Sequence, residues 1–179
     1  MEVIDLTMDS DLLSIDIGTK NCGFAISKIS GQIIDCGIIQ FDIKGKNSKQ
    51  IVDHVFEMLN FVCTNVHRDF SVVLIEKQIP ISLKSHYNIQ PSINSKIECI
   101  VHCYFKCRGI VTVVMPPRRN KQPTSYIGNK KASVKEVVDQ LENVSYFSEI
   151  AAQKFKMFDK QDDVADAIRM IWRRLNLIQ

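Results

Sequence analysis

The sequence predicts an α/β fold, in which a mixed five-stranded sheet (three antiparallel strands, then two parallel strands) carries helices on both faces. Three short runs rich in β-branched residues come first, at 12–18, 22–28 and 33–41, with turn residues between them. Two continuous apolar runs follow, at 71–76 and 109–115, each after a stretch of helical periodicity. Strands that follow one another directly predict an antiparallel meander, whereas strands that alternate with helices predict parallel crossovers.

The connecting elements follow from apolar spacing and turn residues. Gly31 marks the turn between the second and third strands. A three-and-four spacing predicts the first helix through Ile51, Val52, Val55, Phe56, Leu59 and Val62. The same spacing predicts a second helix from Ser92 to Cys107, and Pro116 stops the last strand. Further helices are predicted at 133–142, 148–158 and 162–176.

The composition bounds the class of protein. The chain has 179 residues, of which 45% are hydrophobic and 24% charged, which predicts one globular domain over residues 1–179. The formal net charge is only +3, so the distribution of charge matters more than its total. No apolar run approaches the roughly 20 residues of a membrane span, and the acidic start MEVIDLTMDS does not resemble a signal peptide. We therefore expect a soluble intracellular protein with no membrane partner and no nucleotide cofactor.

Six cysteines are scattered along the chain, which indicates reduced thiols in a reducing compartment. Cys99, Cys103 and Cys107 recur every four residues along one side of the second predicted helix. Their spacing lacks the paired pattern of a zinc site, so we expect packed or surface thiols.

Carboxylates close two of the predicted buried strands. Alternation along the strand 12–18 places Asp16 on the face of Ser14, and Glu76 ends an apolar run of its own. Burial of an unpaired carboxylate costs roughly several kcal/mol, so each residue needs a cation, strong donors or a wet strand end. Either residue alone is explained by a strand-to-turn junction at which the carboxylate accepts backbone N–H bonds.

The predicted helix 162–176 begins with further acidic residues. Asp163 and Asp166 project on one side of it, while Asp162 is also within reach of Asp166, so helical geometry does not choose between Asp162 and Asp163. Acidic residues in a first turn also suit the helix dipole, with Asp159 as a candidate N-cap. Four carboxylates from two adjacent strand ends and one helix start, however, form the oxygen-rich cluster that Mg²⁺ or Mn²⁺ binds, which points to phosphoryl chemistry.

Three motifs in this order resemble the RNase H-like nuclease superfamily, and within it the RuvC-type Holliday-junction resolvases, particularly their poxvirus branch. IDIGTKNCGFAI at 15–26 resembles the first-strand motif with its leading aspartate. VLIEKQ at 73–78 resembles the fourth-strand motif that ends in glutamate with a nearby glutamine. DVADAI at 163–168 resembles the Asp-x-x-Asp of the final helix. The resemblance covers nearly the whole chain and implies an RNase H-like sheet.

The resemblance also implies the site. The family's four metal-binding carboxylates correspond to Asp16, Glu76, Asp163 and Asp166. The family's helix-start lysine corresponds to Lys131 in GNKKASVKE, where Lys130 and Lys135 are alternatives. The implied enzyme is an endodeoxyribonuclease that uses two Mg²⁺ or Mn²⁺ ions per active site, cuts four-way DNA junctions by paired nicks and works as a homodimer. A poxvirus enzyme of this kind would serve DNA recombination, replication and concatemer resolution in the host cytoplasm.

A basic run without acidic residues precedes the last helices. Its members are Arg118, Arg119, Lys121, Lys130, Lys131 and Lys135. Such a run is commonly a solvated loop. Beside a four-carboxylate centre, we expect it to neutralise the phosphates that flank the one being cut, as part of recognition by backbone path and junction shape.

Two other functions fit parts of the pattern. A catalytically silent module that binds branched DNA would share the fold, but the intact acidic positions argue against it. An RNase H-like nuclease that acts on flaps, hybrids or general branched DNA would need the same acidic centre, which therefore does not distinguish the substrates.

Overall fold

The structure is a computed structural model that describes residues 11–40, 43, 45–66, 70–78, 92–116 and 126–178, without the side chains of residues 65, 66, 126 and 127. Its elements are, in chain order, β1 (Asp11–Asp16), β2 (Asn21–Lys28), β3 (Ile33–Gln40), α1 (Ser48–Val66), β4 (Phe70–Glu76), α2 (Ile93–Lys106), β5 (Val111–Met115), α3 (Tyr126–Val138), α4 (Glu149–Met157) and α5 (Gln161–Arg174).

The five described strands form one sheet in the order β3-β2-β1-β4-β5. The β1–β2 and β2–β3 pairs are antiparallel, whereas β1–β4 and β4–β5 are parallel. The β2–β3 hairpin turns at Gly31, whose φ of 90° lies in the left-handed region that glycine adopts without strain. The predicted mixed sheet is therefore confirmed, and it makes β1 and β4 central strands.

The two faces of the sheet bury two separate apolar clusters. Leu13 and Ile15 of β1 pack with residues of α1 and α2, whereas Leu12 packs with residues of α3, α4 and α5. This alternation confirms the prediction of helices on both faces. Asp16 follows Leu12 by four residues along the strand, so its side chain lies on the same face of the sheet, which α5 covers.

Local sequence explains where the helices begin. Asn47 and Gln50 exchange side-chain to backbone hydrogen bonds, each 3.0 Å long, in a capping box before α1. The helix predicted at 133–142 instead spans Tyr126–Val138. Its first turns lack an apolar stripe, so spacing could not reveal them, and Leu141 reaches the core from tight turns after the helix.

All six cysteines are free, and Cys99, Cys103 and Cys107 are exposed, as expected of surface thiols. Among the helices that the structure describes, none has both the length and the apolar character to cross a membrane.

Candidate active site

Asp16 and Glu76 end the two central parallel strands side by side. Ile15 of β1 pairs with Ile75 of β4, and Asp16 and Glu76 are the next residue of each strand. Their carboxyl groups interact directly, and this contact raises the pKa of Asp16 and lowers that of Glu76. The carboxyl ends of adjacent parallel strands lie at one edge of a sheet, so this register alone brings the two groups together.

The start of α5 brings two more carboxylates to this edge. Helix α5 packs against β2 and β1. Gly23 of β2 permits the close approach, because a Cβ atom there would overlap the backbone carbonyl of Asp163. Asn21 Nδ2 donates to Asp163 Oδ2 over 3.2 Å. The charges of Asp163 and Asp166 both raise the pKa of Asp16, so the strand ends and the helix start form one acidic cluster.

Capping does not account for the acidic residues of α5. The N-cap residue is Lys160, and no side chain makes a capping hydrogen bond there. The expectation that Asp159 caps the helix is therefore wrong, because Asp159 lies one residue too early to meet the first free amides. The helix dipole still favours acidic residues at this end, but their side chains are not used as caps.

The acidic cluster is poorly neutralised. Burial raises the pKa of Asp16 well above its ordinary value, and the neighbouring charges of Glu76, Asp166 and Asp163 raise it further. Burial also raises the pKa of Glu76, with the charge of Asp166 as the next cause. Burial raises the pKa of Asp166 despite a hydrogen bond from Ser133 that lowers it. Several carboxyl groups that resist ionisation together favour a bound cation.

Lys130 is the lysine beside the cluster. Its Nζ atom contacts Asp162 Oδ2 and lies 3.6 Å from Asp163 Oδ1. Asp162 thus pairs with Lys130, whereas the charge of Asp163 also raises the pKa of Asp16. This geometry favours Asp163 over Asp162 as the residue that faces the strand ends.

The other predicted basic residues lie elsewhere or are not described. Lys131 is exposed on α3, and Lys135 pairs over 2.6 Å with Asp139, the first residue after the end of this helix. Arg118, Arg119 and Lys121 lie outside the described residues.

Sequence reasoning missed a buried arginine next to the site. Arg169 is only 7% exposed, and its Nε atom donates to Glu136 Oε2 over 2.7 Å. Its terminal nitrogen donates to Ser133 Oγ and lies 3.4 Å from Asp166 Oδ1. The signal was present in the sequence, because Arg169 follows Asp166 by three residues and so shares its side of α5.

A chain of amides holds the segment after β4. Gln78 Nε2 donates to the Glu76 carbonyl over 3.1 Å, and the Gln78 backbone N–H donates to Glu98 Oε2 over 2.7 Å. Asn94 Nδ2 in turn donates to Gln78 Oε1 over 3.3 Å. A side-chain hydrogen bond from Gln78 also lowers the pKa of Glu76. The glutamine of the IEKQ motif therefore orients the glutamate that precedes it.

The donor set suits a hard divalent cation, since it consists of carboxylate oxygens without sufficient positive charge around them. Within the part of the chain that the structure describes, no three acidic, histidine or cysteine side chains are already spaced around one point as ligands. Binding of an ion would therefore require acidic side chains of the cluster to turn toward one point.

Comparison with known proteins identifies the family. The sequence profile described as "Poxvirus A22 protein" matches residues 12–176. The chain belongs to the poxvirus A22 protein family. No curated protein sequence matches it.

Solved structures agree with this assignment at the level of the fold. The Fowlpox virus resolvase, solved in complex with substrate Holliday junction DNA, has a TM-score of 0.62 and 21% identity, over 94% of this chain and 99% of that one. The yeast mitochondrial Holliday junction resolvase Ydc2 has a TM-score of 0.64 and 18% identity, over 97% and 82%. RuvC of T. thermophilus, in complex with a Holliday junction substrate, has a TM-score of 0.54 and 12% identity, over 93% and 96%. The expected RNase H-like fold and the resemblance to the poxvirus branch are both confirmed.

Proposed function

We propose that this member of the poxvirus A22 family is a divalent-metal-dependent endonuclease that resolves four-way DNA junctions by paired, symmetric nicks. The observation that carries the proposal is the acidic cluster at the carboxyl edge of β1 and β4. Family membership and the fold shared with junction resolvases support the substrate class.

The four carboxylates of the cluster are the proposed cation ligands: Asp16, Glu76, Asp163 and Asp166. When bound, divalent cations supply a water of lowered pKa and a counter-charge for the transferring phosphate. The raised pKa values of Asp16, Glu76 and Asp166 support this assignment, since each group loses its proton more readily beside a cation. Gln78 and Asn21 hold Glu76 and Asp163 from outside the cluster.

Lys130 is the lysine that we assign to the phosphate. Its ammonium group lies beside Asp162 and Asp163, so it is in reach of a phosphate bound at this edge and can stabilise negative charge there. Lys131, the residue expected from the family motif, is exposed one position further along α3. Consecutive helical residues point about 100° apart, so the two lysines cannot share this role.

The proposal extends to the DNA-facing surface and to the oligomeric state. The basic run from Arg118 to Lys135 would contact phosphates on either side of the cut. Two symmetry-related cuts require two active sites, for which a two-fold homodimer is the simplest arrangement. The proposed role is viral DNA recombination and concatemer resolution.

The test incubates the full chain with a labelled immobile four-way junction, with and without Mg²⁺ or Mn²⁺, and maps the nicks. Flap, RNA–DNA hybrid and duplex substrates run in parallel. We expect symmetric nicks only with metal, no cutting by Asp16→Asn, and cutting by the matched variant Asp11→Asn, whose buried carboxylate at the other end of β1 pairs with Lys28 over 2.9 Å. Junction binding without cutting under every metal condition, or equal cutting of all substrates, would contradict the proposal.

A further inference from the structure

One polar face of α3 runs along α5. Lys130, Ser133 and Glu136 follow one another at intervals of three residues, so they share one side of α3. Lys130 contacts Asp162 near the start of α5, whereas Ser133 and Glu136 both contact Arg169 further along the helix. Polar contacts thus join α3 and α5 from the acidic cluster at the start of α5 to Arg169, further along that helix.

Arg169 is the residue that these contacts share. A buried guanidinium group is unfavourable unless its donors are paired. Here it meets Glu136, Ser133 and Asp166 at once, and the Ser133 hydroxyl also hydrogen-bonds to the Asp166 carboxylate. Because the guanidinium is planar and its donors are fixed relative to one another, three partners determine its position closely.

We propose that Arg169 is a positioning residue, which fixes α3 against α5 so that Asp166 and Lys130 keep their places at the acidic edge. The inference rests on the proposed function, because these positions matter only if the edge binds cations and cuts DNA. Of the four proposed ligands, Arg169 contacts Asp166, directly and through Ser133, so its action on the site passes through these two residues.

A positioning role of Arg169 and a simple charge effect predict opposite changes in cation affinity when Arg169 is removed. Arg169 carries a positive charge near the acidic cluster, so its removal would strengthen the binding of a cation if charge were all that mattered. Loss of a positioning residue would weaken binding instead, since Asp166 would lose its fixed orientation. A fall in cation affinity after removal of Arg169 therefore indicates positioning, whereas a rise indicates a charge effect.

The experiment measures Mn²⁺ binding to the full chain by calorimetry without DNA, beside metal-dependent junction cutting. We expect Arg169→Met, which keeps an unbranched apolar stem and removes the guanidinium group, to weaken Mn²⁺ binding by about 10-fold or more. Arg169→Lys should recover part of this affinity, since an ammonium group can pair with Glu136 but cannot span all three partners. Unchanged or tighter binding by Arg169→Met overturns the inference.

Ser133→Ala provides a second test, in case Arg169→Met does not fold. The change is small and neutral, so a pure charge effect predicts no change in affinity, whereas positioning predicts weaker Mn²⁺ binding by a few-fold to about 10-fold. Asp11→Asn is the matched control: it disturbs a buried ion pair away from the site and should leave the affinity unchanged. If Asp11→Asn weakens binding as much as Ser133→Ala, the effect is general destabilisation and the inference fails. Wild-type protein that neither binds Mn²⁺ nor cuts would instead refute the proposed function.

Discussion

Substitution of Gly23 by alanine tests whether the fit between β2 and α5 controls the site. The added Cβ atom would lie 2.5 Å from the carbonyl carbon of Asp163 and 3.1 Å from the amide nitrogen of Val164, whereas ordinary contacts begin near 3.4 Å. The start of α5 must therefore move away by at least about 0.9 Å, the difference between 3.4 and 2.5 Å, because the carbonyl oxygen of Asp163 lies closer still. Overpacking of this kind costs about 1–3 kcal/mol of stability, and a displacement near 1 Å can reduce a reaction rate by about 100-fold.

The assay compares single-turnover cutting of a four-way junction with junction binding and urea unfolding. We expect Gly23→Ala to cut about 100-fold more slowly while it binds the junction within a few-fold of wild type. Gly37→Ala is the matched control, because the nearest atoms to a Cβ atom on that neighbouring strand belong to the ring of Phe24, which packs on the opposite face of the sheet. The reasoning is refuted if Gly23→Ala cuts at the wild-type rate, or if Gly37→Ala slows cutting equally.

Three further outcomes are expected. Burial and neighbouring charge raise the pKa of Asp16 in the folded state, so the folded chain binds this proton more tightly than the unfolded chain, and the free energy of unfolding falls as pH rises from about 4 through the raised value. Asp16→Asn should therefore stabilise the metal-free protein at pH 7; urea unfolding in chelator checks this, and a less stable variant would contradict it. Lys130→Met should slow junction cutting by about 100-fold and Lys131→Met by only a few-fold, and the reverse order in single-turnover rates would return the role to Lys131. Junction affinity should fall steeply with salt, by about 10³-fold or more between 50 and 200 mM if six phosphates are contacted. If filter binding shows an affinity that does not depend on salt, the basic run does not contact the DNA.

The sequence alone determined the order of strands and helices and which residues close the central strands. Periodicity was sufficient for β1 to β5, α1 and α2, because alternation and three-and-four spacing report directly which side of an element is buried. The carboxylates Asp16 and Glu76 stood out for the same reason, since each ends a run that is otherwise apolar. Their adjacency was also predictable, because it follows from the parallel pairing of two central strands.

Only the tertiary structure separates neighbouring candidates by their positions and contacts. Asp162 and Asp163 differ by one position, and so do Lys130 and Lys131, and helical spacing alone does not show which member of each pair lies toward the strand ends. The choice depends on how α3 and α5 are rotated against the sheet, and that rotation is set by the Gly23 contact and by the partners of Arg169. These are contacts between residues far apart in the chain, which leave no periodic trace in the local sequence.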